Sequence, residues 1–409
     1  MSEKRDNDIV IASMCRTPFG KFGGSLRDYP VIDLGAVVLR ELVGRTGMPF
    51  DAVDELYMGL CTTAVNKLGI VGPVISRQCL LKAGAPPGIP SMTIDMACCA
   101  SLAAVHLGAN SIRLGQAAVT VALGAELLSQ VPHVCHDARW GRRIGPITLT
   151  DSLFEMGYPG FNPVSVDTGE YSLEVGITRQ MQDEWAYLSQ QRYSKAKSEG
   201  KYRVGEELMA VEIRKGKEKA FFTEDESPRA DVSLEKLTGL KTVYGSRTVT
   251  AGNAPGLNDG ASAVLMMTRK RAKELGLEAL GTLLASGFAS DEPRKMSEAP
   301  ANVTMFLLQK LGMSLGQLDL IQINEAFAAM PLVSARKMAG GDAGKTKELL
   351  EKKINVNGDA IAVGHPVGAS GNRILMTLLY ELRRRGGGTG ACSICGGLNQ
   401  GAGAVVRAE

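Results

Sequence analysis

No segment of this chain gathers charge of one sign. Its 46 basic and 43 acidic residues are scattered along 409 positions, for a formal net charge of +3. That leaves no basic stripe of the kind nucleic acids require and excludes nucleic acid as a partner. No uninterrupted apolar run reaches the roughly 18 to 20 residues that span a bilayer, so no membrane is expected either. The N-terminus, Met1 to Asp8, mixes Lys4 and Arg5 with Glu3, Asp6 and Asp8. It lacks the apolar core of a signal peptide and the acid-poor character of a transit peptide, and the expected location is cytoplasmic. Eight cysteines, unevenly spaced in a long chain without export signals, do not make a disulfide framework. Reduced thiols follow, each to be judged as a small buried hydrophobe or a reactive group. Aromatics are sparse, and there are four histidines, at 106, 133, 136 and 365.

What is present suits a globular enzyme of two to three domains: 44% hydrophobic residues and 48 glycines for tight turns and close backbone approaches. Glycine-bounded apolar runs alternate with helical stretches, as in Ala117 to Gly124 after the helix-like Leu102 to Leu114. This is α/β patterning with a sheet largely covered by helices. From Leu128 to about Ser246 the texture changes. Pro132, Pro146, Pro159, Pro163 and charged turns mark a loop-rich insertion, broken by one helix around Thr178 to Glu199. The flanking parts resemble each other. Phe50 to Leu60 matches Leu315 to Glu325, helix openings recur at Ala100-Ser101 and Ala369-Ser370, and the strand Ala117 to Glu126 matches Gly390 to Gly397. Two related halves are the simplest account.

Four segments carry chemistry. In Thr93 to Leu102 a strand turns through small residues into an apolar helix, which places Cys98 where backbone N–H groups and the helix dipole favour a thiolate. The bland alternative is a buried pair, Cys98 and Cys99, filling a tight turn. In Asn355 to Gly371, His365 is framed by Gly364, Pro366 and Gly368 ahead of a helix, the natural base for a cysteine nucleophile unless it is an exposed loop histidine. Cys392 and Cys395 form a CxxC pair ending a strand. Zinc would need two further ligands and a redox pair a thioredoxin-like unit, so Cys395 beside the glycines is the candidate thiol and Cys392 core. Asn324, at the end of an apolar strand, suits an oxyanion donor or an N-cap. His133 and His136 around Cys135 lack further nearby ligands, and no metal is expected.

Together these segments resemble the thiolase family over nearly the whole chain. The likeness runs through RTPFGKFGGSLR (Arg16 to Arg27), the segment up to Cys98, TAGNAPGLNDG (Thr250 to Gly260), NEAFAA at Asn324, GHPVGASG at Gly364 and CGG at Cys395, in the family's order. The resemblance implies a five-layered αβαβα fold of two similar halves plus an inserted loop domain. The halves would be 1–127, completed by about 247–278, and 279–409, with 128–246 holding coenzyme A. It implies homodimers or homotetramers, acyl-CoA and CoA as substrates, and no separate cofactor. The reaction would be the reversible condensation of acetyl-CoA with an acyl-CoA. Cys98 would take the acyl group, His365 would activate it, and Cys395 would move the α-proton. Asn324 with His365 would form one oxyanion hole, and the N–H groups of Cys98 and Gly397 the other.

Departures bear on substrate. The family's His-Met-Gly appears as Val164, Ser165 and Val166, so Ser165 falls in the acyl and pantetheine region. Pro255 replaces a coenzyme-contacting serine, Leu398 and Asn399 replace glycines, and Asp95 stands where Asn is common. Arg229 matches the arginine near the nucleotide end. The rivals are a ketosynthase-type condensing enzyme and a non-catalytic thiolase-fold binding protein.

Overall fold

The computed structural model describes residues 5–62, 65–66, 69–70, 73–136, 138–153, 158 and 160–409. Pro159 and the first four residues lie outside them. Nine strands form one continuous path: β1 Ile9–Arg16, β2 Glu55–Gly59, β3 Ser91–Ile94, β4 Val119–Leu127, β5 Asn258–Thr268, β6 Gly281–Ser290, β7 Leu320–Ile323, β8 Gly388–Gly396 and β9 Gln400–Ala408. Their spatial order is β7-β8-β9-β6-β1-β5-β4-β2-β3, with the short strand Gly20–Lys21 added to β5.

The path divides at the pairing of β1 with β6, and the two sides repeat one plan. β2 and β4 are parallel, β4 and β5 antiparallel, and β5 and β1 antiparallel. On the other side β7 and β8 are parallel, β8 and β9 antiparallel, and β9 and β6 antiparallel. Where β3 flanks β2, an isolated parallel bridge from Ile354 flanks Ile321 of β7. Even the register breaks correspond: β1 shifts between Ile11 and Ser13, and β6 between Leu283 and Ala285. A bulge kept at the same strand position in both halves is a feature of the ancestral plan and not a local accident. The three sequence likenesses fall on equivalent elements: a 3-10 turn before β2 and before β7, the openings of two central helices, and strands β4 and β8.

Among the described residues the longer helices are α1 Val31–Gly44, α2 Ile75–Lys82, α3 Ala100–Arg113, α4 Val164–Glu174, α5 Arg179–Ser198, α6 Ala299–Leu311, α7 Ala329–Met338 and α8 Ser370–Arg384, and all but α4 and α5 build the layers. Helices α1 and α2 cover the outer face of the first half, and α6 and α7 that of the second. Helices α3 and α8 lie between the two sheet faces, in an apolar layer that Met14, Leu102, Val105, Val264, Ile374, Leu378 and Ile394 share. This is the five-layered arrangement. A sandwiched helix has no solvent face, and α8 buries even Asn372 and Arg373. Close approach in this layer demands small residues. A Cβ on Gly371 would lie 2.7 Å from the Leu102 nitrogen.

The insertion is more regular than its proline and charge pattern suggests. It holds α4, α5 between its caps Thr178 and Glu199, a hairpin of Val211–Lys215 with Glu218–Phe222, and a short helix Leu234–Thr238. Its alternating apolar positions are too few to signal these elements because much of the packing is borrowed. Val211, Ile213 and Phe222 join the outer core of the first half, while Tyr171, Trp185 and Ala186 join that of the second.

Gly124 of β4 shows how tightly the central layer closes. A Cβ there would lie 2.5 Å from the Gly368 carbonyl oxygen and 2.8 Å from Ser101 Cβ. Gly124→Ala is expected to cost about 1–3 kcal/mol as overpacking, lowering the urea midpoint without changing the slope. An unchanged midpoint would contradict the close packing of this layer.

Candidate active site

Loops from both halves meet where the central helices begin. Cys98 lies in the 3-10 turn Ala97–Cys99 that leads into α3. Ala97 sits at φ 48°, and its N–H is held by Asp95 Oδ1 at 2.9 Å. Asn accepts that bond equally well, which accounts for the Asp-for-Asn departure at this position. Left-handed alanine is costly, and such local strain is kept only where the surroundings over-determine it.

His365 is buried, and its ring lies between two groups: Nε2 is 3.3 Å from Cys98 Sγ, and Nδ1 is 2.7 Å from Ser370 Oγ. The tautomer follows from counting protons. Ser370 donates its one hydroxyl proton to the Pro366 carbonyl at 2.8 Å, so toward His365 it accepts, and Nδ1 carries the hydrogen. Nε2 is then the free base facing the thiol. The His365 N–H is held by Asn258 Oδ1 at 2.9 Å, and its backbone pairs with Leu257. Gly364 must be glycine here: its φ is 107° and a Cβ would collide with the Asn258 amide.

The electrostatics correct one expectation. The helix N-terminus does not make Cys98 a resting thiolate. Burial pushes the thiol up to about 12, outweighing its backbone N–H, and the charges of Glu126 and Asp95 add to the rise. Burial, with help from Arg373, likewise pushes His365 down to about 4. The resting pair is a neutral thiol beside a neutral imidazole.

Cys395 is the next-to-last residue of β8, before Gly396, whose Cβ would lie 3.0 Å from Cys99 Sγ and 3.1 Å from the Met96 carbonyl. The CGG turn thus packs onto the turn that carries Cys98. Burial raises the Cys395 thiol, and the Cys98 charge raises it further. Cys392 is core, as expected, and so is Cys99. Gly397 begins the β8–β9 turn, in which Leu398 and Asn399 both adopt φ of 58°. The residues that replace glycines therefore keep a glycine conformation.

Asn324 follows β7 but caps no helix, since α7 starts at Ala329 with Ala328 as its N-cap. Its side chain is buried, and Oδ1 accepts from Arg373 Nη2 at 2.8 Å. Arg373 has only donors to offer, which turns the Asn324 amide so that Nδ2 points the other way, without a protein partner. An orphaned buried N–H₂ is costly unless a ligand or water meets it. Sequence reasoning missed Arg373, which also grips Asp359 with both terminal nitrogens. It missed Glu126 too, although a lone carboxylate near the end of an otherwise uncharged strand is a visible signal. Glu126 accepts from Gly368 N at 2.9 Å, Cys61 N at 3.1 Å, and the Thr62 N–H and hydroxyl, and burial pushes it up to about 7.

The remaining candidates lie apart from the thiol pair in role. Ser165 is buried in α4 with its hydroxyl on the Tyr244 carbonyl at 3.4 Å. Pro255 is half-buried in the loop that leads to Leu257, the backbone neighbour of His365. Arg229 braces that loop through the Ala251 carbonyl at 3.3 Å and lines a cleft of about 470 Å³ with Tyr187, Gln190, Ser194 and Lys195. His133 faces Asp151 at 3.8 Å on the insertion.

The family profile described as thiolase, N-terminal domain, matches residues 9–270, and that described as thiolase, C-terminal domain, matches 277–408. The chain belongs to the thiolase family. It is 42% identical over 400 residues to the acetyl-CoA acetyltransferase of Pseudomonas aeruginosa, covering 96% of this chain and 98% of that one. To the acetyl-CoA acetyltransferase of Cupriavidus necator it is 41% identical over 406 residues, covering 98% and 99%. Among solved structures, the Bacillus anthracis acetyl-CoA acetyltransferase superposes with a TM-score of 0.90 at 33% identity, covering 98% and 99%. The human mitochondrial 3-ketoacyl-CoA thiolase in complex with CoA does so at 0.89 and 30%, covering both chains fully. As a thiolase, this protein is an acyltransferase that makes or breaks a carbon–carbon bond between coenzyme A thioesters.

Two measurements check the electrostatics. The His365 imidazole, with its pKa depressed, stays neutral above about 4. Its contribution to stability is therefore present above the ordinary histidine value near 6.5 and lost as pH falls toward 4. The acylation rate should hold through pH 6 in the parent enzyme. In His365→Ala it should be far lower at neutral pH and climb without a plateau toward alkaline pH. An acid limb centred on 6.5, or an undiminished rate in the variant, would contradict the reading. Asp95→Asn keeps the bond to Ala97 and removes a charge that raises the thiol, so alkylation of Cys98 by iodoacetamide should quicken at a fixed pH. A slower reaction would contradict the charge effect.

Proposed function

We propose that this thiolase joins acetyl-CoA to an acyl-CoA, or cleaves the 3-ketoacyl-CoA with CoA, through a covalent acyl group on Cys98. The observation that carries this reading is the 3.3 Å approach of His365 Nε2, as free base, to Cys98 Sγ. The thiol proton moves to Nε2 as sulfur attacks the thioester carbonyl, and the imidazolium returns it to the departing CoA thiolate. Proton transfer in concert with attack is what a buried neutral pair requires, since neither ion is stable alone. Cys395 next gives its proton to the freed Nε2 of His365, and the resulting thiolate removes a proton from the α-carbon of a second acetyl-CoA. The carbanion attacks the acyl carbon, and the Cys98 thiolate leaves and takes back a proton from His365 Nε2, which restores the neutral pair.

Asn324 Nδ2, left free by Arg373, is the donor for the enolate oxygen of the second substrate, together with the Nε2–H that His365 has gained from Cys395. The N–H groups of Cys98 and Gly397 serve the acyl oxygen. The 128–246 insertion and the Arg229 cleft hold coenzyme A, a reading supported by two basic side chains, Lys195 and Arg229, at the cleft. Nothing distinguishes synthesis from cleavage in this geometry, because every step is reversible. The named relatives favour acetyl-CoA as one substrate. Val164 to Val166 set the acyl pocket apart from the family's usual His-Met-Gly, and a broader or different acyl preference follows. A homodimer or homotetramer is the expected assembly. Against the ketosynthase rival stands the second thiol: the group beside the nucleophile on β8 is Cys395 and not a histidine. Against a silent binding protein stands the one-proton chain from Pro366 through Ser370 and His365 to Cys98, which only chemistry needs.

Cys395→Ser separates the half-reactions. Acetyl-CoA should still label Cys98, because acyl transfer moves no proton at carbon. Condensation and exchange of the acetyl methyl hydrogens with solvent should fall by several orders of magnitude, since a hydroxyl is far less acidic than a thiol. Normal acetoacetyl-CoA formation by this variant would require another base and would remove Cys395 from the mechanism.

A further inference from the structure

One side chain from the insertion reaches the catalytic turns. Tyr158, half-buried, lays its phenol over Gly397: a Cβ built on that glycine would collide with the hydroxyl oxygen and the ring carbon that bears it. Gly397 does not have a positive φ, so its backbone alone does not demand glycine. What excludes a side chain there is the phenol. Burial keeps the Tyr158 hydroxyl protonated, and the nearby Cys98, Cys61, Asp95 and Cys395, each an acid that would carry negative charge, act in the same direction. It is therefore a neutral donor across the working pH range. Among the described residues, no hydrogen bond takes up that proton. A half-buried hydroxyl aimed at a reactive cluster and lacking a protein partner calls for water or a ligand.

We propose that Tyr158 is a substrate-binding residue of this thiolase, its hydroxyl donating a hydrogen bond to the oxygen on the acyl carbon that Cys98 attacks. The inference rests on the roles given above to Cys98 and Gly397. In thiolysis that oxygen is the 3-keto oxygen of the substrate, and after attack it becomes the carbonyl oxygen of the acyl-enzyme. The N–H groups of Cys98 and Gly397 supply two donors to it, and the phenol over Gly397 supplies a third. Negative charge develops on this oxygen in each tetrahedral intermediate. A neutral, pre-placed donor in a dry site strengthens as the charge grows, so its effect falls on the rate more than on binding of the coenzyme. The position also bears on specificity. A phenol hydroxyl at this point favours a carbonyl oxygen over an alkyl group.

The test is Tyr158→Phe, which keeps the ring and removes the hydroxyl. Loss of one hydrogen bond to a developing oxyanion lowers the rate about 10- to 100-fold. We expect that loss in kcat/KM for thiolysis of acetoacetyl-CoA, with the KM for CoA unchanged and the thermal midpoint within a degree or two of the parent. A kcat/KM within twofold of the parent would overturn the proposal. So would a loss matched by an equal rise in the KM for CoA, which would make Tyr158 a support for the coenzyme only. Cys98→Ala is assayed in parallel for acyl-enzyme formation. Labelling that survives in that variant overturns the nucleophile assignment independently of the result at Tyr158.

Discussion

Burial of an uncharged thiol against an uncharged imidazole is the constraint on which the rest of the site depends. Removing Cys98 from water makes its thiolate unfavourable, and removing His365 from water makes its imidazolium unfavourable. Each group is poised only because the other is in reach. The chemistry then needs geometry in place of a standing charge: one tautomer, one ring orientation and one sulfur position. Ser370 sets the first by spending its only proton on Pro366. Asn258 holds the backbone of His365, and Glu126 holds Gly368 three residues on. The strained turn at Ala97 fixes the sulfur.

Such precision follows from where the site lies in a duplicated fold. The two central helices start side by side, each preceded by a 3-10 turn, one carrying Cys98 and the other following His365. The halves thus contribute equivalent positions with different chemistry. β4 and β8 correspond in the same way. The first ends near Glu126, a carboxylate that holds backbone N–H groups, and the second near Cys395, the thiol proposed to carry the α-proton. Close packing of glycines 59, 124, 368 and 371 against neighbouring backbone makes the junction stiff. A stiff junction suits a site whose donors must be in place before charge develops.

Much of this was legible in the sequence because the chemistry sits on short segments with their own punctuation. Glycine and proline around His365, a strand-to-helix turn at Cys98 and a glycine turn after Cys395 are local signals, and the alternation of strands and helices exposed the repeat. The supporting residues were not legible for the opposite reason. Arg373 lies in a helix whose pattern predicts an ordinary apolar face, and only the third dimension shows that it turns the Asn324 amide. Ser370 reads as a helix-opening serine until its hydroxyl is found between His365 and Pro366. The helix-terminus argument for a low Cys98 pKa counted the nearby dipole and left out desolvation, which pushes the thiol the other way. Tyr158 stood unnoticed in a stretch without periodicity, since its significance comes entirely from Gly397, 239 positions away in the chain.

Helix α5 explains how an insertion far along the chain is joined to this junction. Its Trp185 and Ser189 donate to the two oxygens of Glu325 at 2.8 and 2.7 Å, beside Asn324. One residue on, Gln190 donates to the Ile361 carbonyl at 3.0 Å, on the segment that leads to His365, and accepts from the Arg229 N–H at 3.0 Å. The outer face of the same helix lines the Arg229 cleft. Glu325 is fully buried, and burial together with the neighbouring Asp359 pushes its carboxyl above the usual carboxylate range. Such a group is tolerated only while every one of its partners stays in place. A shift of α5 would leave it short of donors, so the helix is held at a fixed distance from both the Asn324 and His365 segments. On the proposal that the Arg229 cleft holds coenzyme A, this fixed distance would set the length over which a thioester reaches the thiols, with the insertion as the ruler.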